Sequence, residues 1–554
     1  MKLKLRNTLI LLFVAISAVL IGCAEDEITY DRTRLFKPSL AGGTLRVDAN
    51  SIIVNLSKEV GTVKYKIEIS RDTFNTLDYF VEVDTNYIVI DENLVGEELL
   101  WFTIYQVRAT AFADETQYDS RPSDLGSTRT EKFPSNLITP QQNDLLDTKV
   151  KVEWVNAGDP INKLGIFAAT DARLSRPLRF VNVSDEESVL GEVIVTGLNE
   201  LTTYQIAIYS GDYELRGWER YTTVKSIYNL NGPKTRNLTE NTDPDAVANL
   251  YSVINDGDTL VLKKGAQYNL PPSEVPADKS VTIIGAIDFA DSLARIYTTG
   301  NWNVLAGASI DHIRFVNLEI RGEDWTGDYV MNIDASSTIN EFVFQDCHIN
   351  HFRGLMRMKD AAVVSMGTFK IDNCIVNQIG GYGILTVDNK TSTVNDIVIT
   401  NSTFVNVEMG ITSYLDIGTI TMDGVTANNF PRYGRWLFRL REDAEGKIAQ
   451  VTGGVSVSNC IFGRAWDQSS EDWSFSPLQG GDATGFTFSN VYGTSELIIS
   501  TELSGFPSSV YSGGTEDLWV FPNPDDGEEF DFNFSDGTFS GRTNTGDPRW
   551  RAEF

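Results

Sequence analysis

Phe344-Gln345-Asp346-Cys347 and Ile371-Asp372-Asn373-Cys374 are the stretches on which the fold turns. The same phrase returns as Phe315-Val316-Asn317-Leu318, Ile399-Thr400-Asn401-Ser402, Met422-Asp423-Gly424 and Val457-Ser458-Asn459-Cys460, and Phe488-Ser489-Asn490 adds a further copy. The polar positions Asn317, Asp346, Asn373, Asn401, Asp423 and Asn459 follow one another at intervals of 29, 27, 28, 22 and 36 residues. A repeat of this period is one coil of a β-solenoid, with variable loops absorbing the differences. Coils stack about 4.8 Å apart, so equivalent side chains form ladders. An Asn or Asp at a tight bend satisfies backbone groups of its own and neighbouring coils. The residue after it (Cys347, Cys374, Ser402, Gly424, Cys460) is small enough to enter a narrow core.

Working outward, Asp256-Gly257-Asp258-Thr259-Leu260-Val261-Leu262 leads into Gly265-Ala266-Gln267-Tyr268. This run resembles the opening coil of right-handed parallel β-helix proteins of the polysaccharide-lyase type. At the other end, Phe530-Asp531-Phe532 and Gly546-Asp547-Pro548-Arg549-Trp550 resemble the closing segment of an uncharacterised β-helix family. In Bacteroidetes lipoproteins that family occurs behind fibronectin-like domains. The helix is expected over 246–554, after a linker at 231–245 that contains Gly232-Pro233 and Asp243-Pro244.

Before the linker, short alternating segments separated by polar turns read as β-sandwiches. Residues 35–135 contain Ser51–Leu56, Val63–Ile69, Tyr87–Ile90 and Phe102–Ala109; residues 136–230 contain Val150–Trp154, Leu164–Ala168, Glu192–Thr196 and Tyr204–Tyr209. Leu99, Thr103 and Tyr105 in the first share their spacing with Leu198, Thr202 and Tyr204 in the second. That spacing resembles the tyrosine corner of fibronectin type III domains, although Trp101 and Glu200 stand where the family has proline. The expected class is all-β: two fibronectin type III-like sandwiches, acting as a spacer or as binding domains, followed by a parallel β-helix.

The N-terminus carries a basic start, Lys2 to Arg6, an uncharged and mostly apolar run from Leu9 to Ile21, and then Gly22-Cys23. The run is too short to span a bilayer comfortably. Leu20-Ile21-Gly22-Cys23 resembles the bacterial lipobox, which implies a signal peptide at 1–22, a lipid on Cys23 and a tether over 23–34. Glu25-Asp26-Glu27 resembles the surface-export signal of Bacteroidetes lipoproteins, which implies the exterior leaflet of the outer membrane. The membrane is then a partner through the lipid anchor only.

With 46 basic and 76 acidic residues the net charge is −30. Such a surface repels nucleic acid and anionic headgroups, and a polyanionic ligand needs a local basic patch. Cys347, Cys374 and Cys460 are too few and too odd in number for a disulfide framework in 554 residues, and they read as small core hydrophobes. His312, His348 and His351 form no metal signature, and no metal ligands are assigned. No cofactor is expected; at Asp525-Asp526-Gly527-Glu528-Glu529 a calcium site competes with a solvated acidic loop.

One internal match is not part of the bend ladder. Arg353-Gly354-Leu355-Met356-Arg357-Met358-Lys359-Asp360 aligns with Arg435-Trp436-Leu437-Phe438-Arg439-Leu440-Arg441-Glu442 at a constant offset of 82, about three coils. Alternation along a strand sends Met356, Met358, Phe438 and Leu440 inward and leaves Arg357, Lys359, Arg439 and Arg441 outside on one face. Arg353, Arg357, Lys359, Arg435, Arg439 and Arg441, with Tyr382, Tyr414 and Trp436, are the candidate contacts for an acidic glycan, since guanidinium engages carboxylate bidentately. The competing reading is a solvated charge ladder in which these bases pair with Asp360, Asp388, Asp416 and Glu442. Aromatics near the same coils include Tyr433, Trp466 and Trp473.

The resemblances imply a cell-surface protein of a Bacteroidetes polysaccharide-utilisation system. It would capture an acidic, pectin- or alginate-like polysaccharide for nearby enzymes and an outer-membrane glycan transporter complex. A polysaccharide lyase would use the same face, with Lys359 or Arg357 as base beside Arg439. No run resembles the clustered aspartates of pectinase-type hydrolases, which need paired carboxylates. An adhesin or protein-interaction module is the third alternative, because β-helices host both enzymes and binders.

Overall fold

The computed structural model describes residues 33–466, 473–523 and 529–552. Cys23 and Glu25–Glu27 lie outside the described residues, as do Asp525 to Glu528 of the acidic loop. No helix among the described residues is long and apolar enough to cross a membrane. The chain divides into two compact units that part between Val224 and Lys225.

The first unit holds two antiparallel sandwiches. In the first, Arg46–Asp48, Ser51–Asn55 and Tyr87–Ile90 form one sheet, and Tyr79–Val83, Lys64–Ser70, Ile104–Phe112 and Ser123–Arg129, in that order, form the other. The second repeats this plan, with Val150–Glu153 against Glu192–Val195 facing a four-stranded sheet ordered Arg179–Asn182, Ile161–Ala168, Thr203–Ser210, Glu214–Thr222. This is the fibronectin type III-like arrangement.

Both corners are built alike. Tyr105 and Tyr204 are buried, and their phenol oxygens accept from the backbone N–H of Leu100 (2.9 Å) and Asn199 (3.0 Å). Thr103 and Thr202 donate their hydroxyls to the carbonyls of Trp101 and Glu200, both at 2.9 Å. These carbonyl partners are backbone groups, so the corner closes without the usual proline.

The second unit is a parallel β-helix around one continuous apolar core that runs from Leu238 to Phe506. Its first sheet stacks ten parallel strands, from Thr235–Leu238 to Phe486–Ser489. Thr235–Leu238, within the stretch 231–245 expected as linker, already pairs with Asp258–Leu262. Gly232-Pro233 and Asp243-Pro244 are thus turns of the opening coil: the Pro244 carbonyl accepts from Asn269, one coil on. Phe315 stacks on Phe344 (5.6 Å) and Phe342 on Phe369 (6.1 Å), rung on rung in the core.

The bend after the first sheet is a left-handed ladder. Asn317, Asp346, Asn373, Asn401, Asn459 and Asn490 all adopt φ between +50° and +56°, a conformation that short polar side chains and glycine tolerate. Their side chains link successive coils: Asn373 donates to Asp346 (2.6 Å) and Asn490 to Asn459 (2.9 Å).

One expected rung is displaced. Strand register sets Asp423 level with Asp372, Thr400 and Ser458, so Gly424, at φ +65°, holds the bend. Asp423 instead accepts from Asn459 (2.8 Å) and Ser458 (2.7 Å), and buried Val425, not Gly424, enters the core. Both Asp-Gly and Asn-Cys satisfy a polar-then-small pattern, which makes the shift invisible to spacing alone. Cys347, Cys374 and Cys460 are free and fully buried. Burial pushes the Cys460 thiol up to about 12 and that of Cys347 well above its ordinary value.

The closing segment crosses the coils from outside. Asp531–Phe534 pairs antiparallel with Trp519–Phe521, and Phe532 and Trp519 pack with Val405 and Ile461. Buried Asp547 accepts from Thr403 (2.8 Å) and from Arg549 (2.9 Å), which also reaches the Asn373 carbonyl (3.0 Å). Trp550 donates to Thr403 at 2.7 Å. The Gly-Asp-Pro-Arg-Trp motif therefore ties several coils together.

Candidate functional site

The basic face arises where two long strands, His348–Met358 and Ile375–Val387, bend and continue into a further sheet with Tyr329–Ile333, Ile411–Ser413, Trp436–Leu440 and Ser476–Gln479. The bend is made by glycines. Gly383 has φ +59°, and a Cβ there would collide with the Met409 carbonyl; at Gly410 it would collide with that of Leu437.

Register then brings the two basic segments into line: Arg357, Thr386, Thr412 and Arg439 are successive partners across four strands. Three rungs at about 4.8 Å place the two arginine backbones about 14 Å apart. Met356, Met358, Phe438 and Leu440 are buried as alternation requires. Leu355 and Leu437 are buried as well, so only alternate residues beyond them face outward.

A cleft of 440 Å³ opens on this face. Arg353, Arg435, Arg439 and Arg441 line it, with Asp388, Glu408, Tyr382 and Trp325. Its carboxylates are engaged: Asp388 accepts from Arg357 at 2.7 and 2.8 Å, and Glu408 pairs with Arg432 at 3.2 Å. Lys359 is paired with Asp334 at 3.2 Å and does not line the cleft. Asp416 pairs with Lys447.

By contrast, Arg353, Arg435, Arg439 and Arg441 make no ion pair among the described residues. Aromatic rings hold three of them: Arg353 lies 4.6 Å from the Tyr382 centroid, Arg439 4.3 Å from Trp436 and Arg441 3.8 Å from Tyr414. Arg439 also donates to Gln479 at 2.7 Å. Guanidinium on an aromatic face keeps its edge donors available for a planar anion. Tyr382, Tyr414 and Trp436 thus orient arginines, with Tyr382 also under Arg357 at 4.5 Å.

Electrostatics separate the two ends. Burial opposes the charge on Arg357, but Asp388 outweighs it and raises its proton affinity above the ordinary arginine value. Burial, then the neighbouring guanidinium of Arg441 and more weakly that of Arg435, lowers that of Arg439. Arginine stays charged regardless, so the cleft carries four positive charges that make no ion pair among the described residues, on a chain of −30.

The histidines are dispersed. His312 contacts Asp311 (3.0 Å), His351 contacts Gln378 (3.3 Å), and burial lowers the pKa of His348. No cluster of three metal-ligating side chains occurs among the described residues.

Sequence reasoning missed two features. The first is a second left-handed ladder, His351, Gln378, Asn406 and Asn429, in which Asn429 donates to Asn406 at 2.9 Å. Its spacing of about one coil was the available signal. The second is Trp325, whose loop packs over Gly380; the glycine pair Gly380-Gly381 was the signal there.

Fold and site together define a class: an all-β protein with two fibronectin type III-like sandwiches and a parallel β-helix bearing an arginine-lined cleft. Residues 266–407 match the family described as Domain of unknown function (DUF4957). The match includes the Arg353–Asp388 side of the cleft and stops before Arg435. Among solved structures, the crystal structure of chicken CNTN1 FN1-FN3 domains is similar at 15% identity with a TM-score of 0.15, over 35% of this chain and 68% of that chain. No curated protein matches the sequence.

Proposed function

We propose that the protein is a cell-surface glycan-binding lipoprotein that captures an acidic, pectin- or alginate-like polysaccharide for a polysaccharide-utilisation system. The observation that carries this reading is the set of four arginines, without an ion pair among the described residues, in one 440 Å³ cleft of a strongly acidic chain. Bidentate guanidinium–carboxylate contacts suit uronate groups, and the cleft's extent along the stacked coils suits a chain rather than a small ion. The sandwiches serve as a spacer between the helix and a lipid on Cys23 in the outer membrane, facing the exterior, where a glycan transporter complex receives the polymer.

Binding is favoured over lysis by the state of the bases: Arg357 and Lys359 are each held by a carboxylate, and a general base must first be free to accept a proton. Affinity electrophoresis of the full chain through gels containing polygalacturonate or alginate tests the reading. Retardation by at least one uronate polymer is expected, and free migration through a broad panel of acidic glycans refutes it. Rising ultraviolet absorbance from unsaturated ends during incubation would replace the binding reading with a lyase.

A further inference from the structure

The cleft carries an indole on its wall as well as its arginines. Trp325 is half-buried on its wall, and its ring centroid lies 6.1 Å from that of Trp466, the planes inclined at 39°. The loop that carries Trp325 is tightly tied. Asp324 accepts from the backbone and hydroxyl of Thr326 (2.8 and 2.6 Å), and Asp328 accepts from the backbones of Glu323 and Asp324 (3.1 and 2.9 Å). The Asp328 carbonyl accepts from Arg353 at 2.7 Å, joining the loop to the arginine strand.

Beneath the loop, a Cβ on Gly380 would sit 2.9 Å from the Trp325 carbonyl and 3.3 Å from the Arg353 Cα. Only glycine permits this approach. Trp466 is fixed by its own backbone, which exchanges hydrogen bonds with Pro431 (2.9 Å) and Tyr433 (2.8 Å). The two half-exposed indoles stand on backbones fixed by main-chain contacts, and rings of this kind suit ligands with one apolar and one wet side. A pyranose ring has such a C–H-rich face.

We propose that Trp325 and Trp466 form a sugar-stacking platform continuous with the arginine cleft. The ligand is then a linear glycan whose pyranose ring lies on the indoles while uronate carboxylates farther along the chain meet Arg435, Arg439 and Arg441. This rests on the reading of the cleft as an anionic-glycan site and adds to it a requirement for a sugar face, which charge alone does not impose.

Polyacrylate, which has carboxylates and no pyranose, separates the two. Affinity electrophoresis of the full chain is run against polygalacturonate, alginate and polyacrylate, with circular dichroism confirming that each variant is folded. Trp325→Ala is expected to weaken retention by the bound uronate polymer about ten-fold, and to leave polyacrylate retention unchanged. Trp466→Ala should act the same way, Trp325→Phe should retain most binding, and Arg439→Ala/Arg441→Ala should weaken every polymer. Unchanged uronate binding in folded Trp325→Ala and Trp466→Ala, or equal losses for uronate polymer and polyacrylate, overturns the platform and leaves the arginine cleft standing. Failure of the unaltered protein to bind either uronate polymer overturns both.

Discussion

Removing an acidic side chain from the cleft should tighten capture of an acidic glycan. The side chain is Asp388, which lines the cleft and holds Arg357 through bonds of 2.7 and 2.8 Å. In Asp388→Asn the wall loses one negative charge, and the amide oxygen can still accept from the guanidinium. With an effective dielectric between about 20 and 80, a unit charge about 8 Å from a ligand carboxylate contributes about 0.5–2 kcal/mol of repulsion. A gain of about 1–2 kcal/mol corresponds to affinity about 5- to 30-fold tighter.

The same substitution weakens a partly buried ion pair, with side-chain exposures of 23% and 15%, so it should lower the melting temperature. Stability and binding therefore move in opposite directions. Isothermal titration calorimetry with a defined-length oligogalacturonate at fixed ionic strength measures the binding, and thermal melts measure the stability. Arg439→Ala is the control of opposite sign. Arg439 has no carboxylate partner among the described residues, so its loss removes a ligand contact worth about 1.5–3 kcal/mol, a ten- to hundred-fold weakening. If Asp388→Asn binds no tighter while remaining folded, or if Arg439→Ala binds as well as the parent, the cleft does not take the anion and the arginines are structural.

Further outcomes follow from the coils. Asn401→Ala should cost about 2–3 kcal/mol in denaturant unfolding, because alanine resists the φ of +50° and the bond to Asp372 (3.1 Å) is lost. Asn401→Gly should cost less, since Gly424 already holds the equivalent bend one coil on; equal losses would contradict the conformational account. Asp372 titrates below the ordinary aspartate value although burial pulls it upward, because Thr400 (2.7 Å), Lys370 (3.1 Å) and Asn401 stabilise the carboxylate. A depressed folded pKa supplies stability above the unfolded value of about 3.9 and loses it as pH falls through the folded one. Asp372→Asn should therefore narrow the difference in stability between pH 6 and pH 3, and an unchanged difference would count against it. Cys347, Cys374 and Cys460 should resist iodoacetamide at pH 8 in the native protein and react in urea; native labelling detected by mass spectrometry would contradict their burial.

The bend ladder was readable from sequence because a positive φ restricts the residue: Asn317, Asp346, Asn373, Asn401 and Asn459 announce themselves by type and spacing. Gly424 answers the same need without an amide, and the neighbouring Asp423 drew the alignment one residue out of step. The second ladder escaped because His351, Gln378, Asn406 and Asn429 share a conformation and no side-chain class. In the sandwiches, strands buried on one side were found, whereas Arg46–Asp48, Tyr79–Val83, Ser123–Arg129, Arg179–Asn182 and Glu214–Thr222 were not. All five lie at a sheet edge, and all but Glu214–Thr222 bury no residue fully, so they lack the apolar alternation on which recognition depends.

At the site, the constant offset of 82 foretold that Arg357 and Arg439 share a row, since coil length alone sets which residues stack. It did not foretell which bases are neutralised. That depends on partners supplied by other coils: Asp388 lies 31 residues from Arg357, and Asp334 lies 25 from Lys359. Two of the six bases are thus paired, Arg357 with a partner the charge-ladder reading named and Lys359 with Asp334, which it did not name. For the remaining four, that reading finds no ion pair among the described residues. With 76 acidic residues in the chain, compensating Arg353, Arg435, Arg439 and Arg441 required only a carboxylate on a neighbouring coil. Instead Thr386, Thr412 and Gln479 stand beside Arg439 in its row, and burial, with the like charges of Arg441 and Arg435, lowers its proton affinity. Like charges gathered in one cleft without ion pairs among the described residues work against the fold that carries them, and groups of this kind concentrate where a protein meets its ligand.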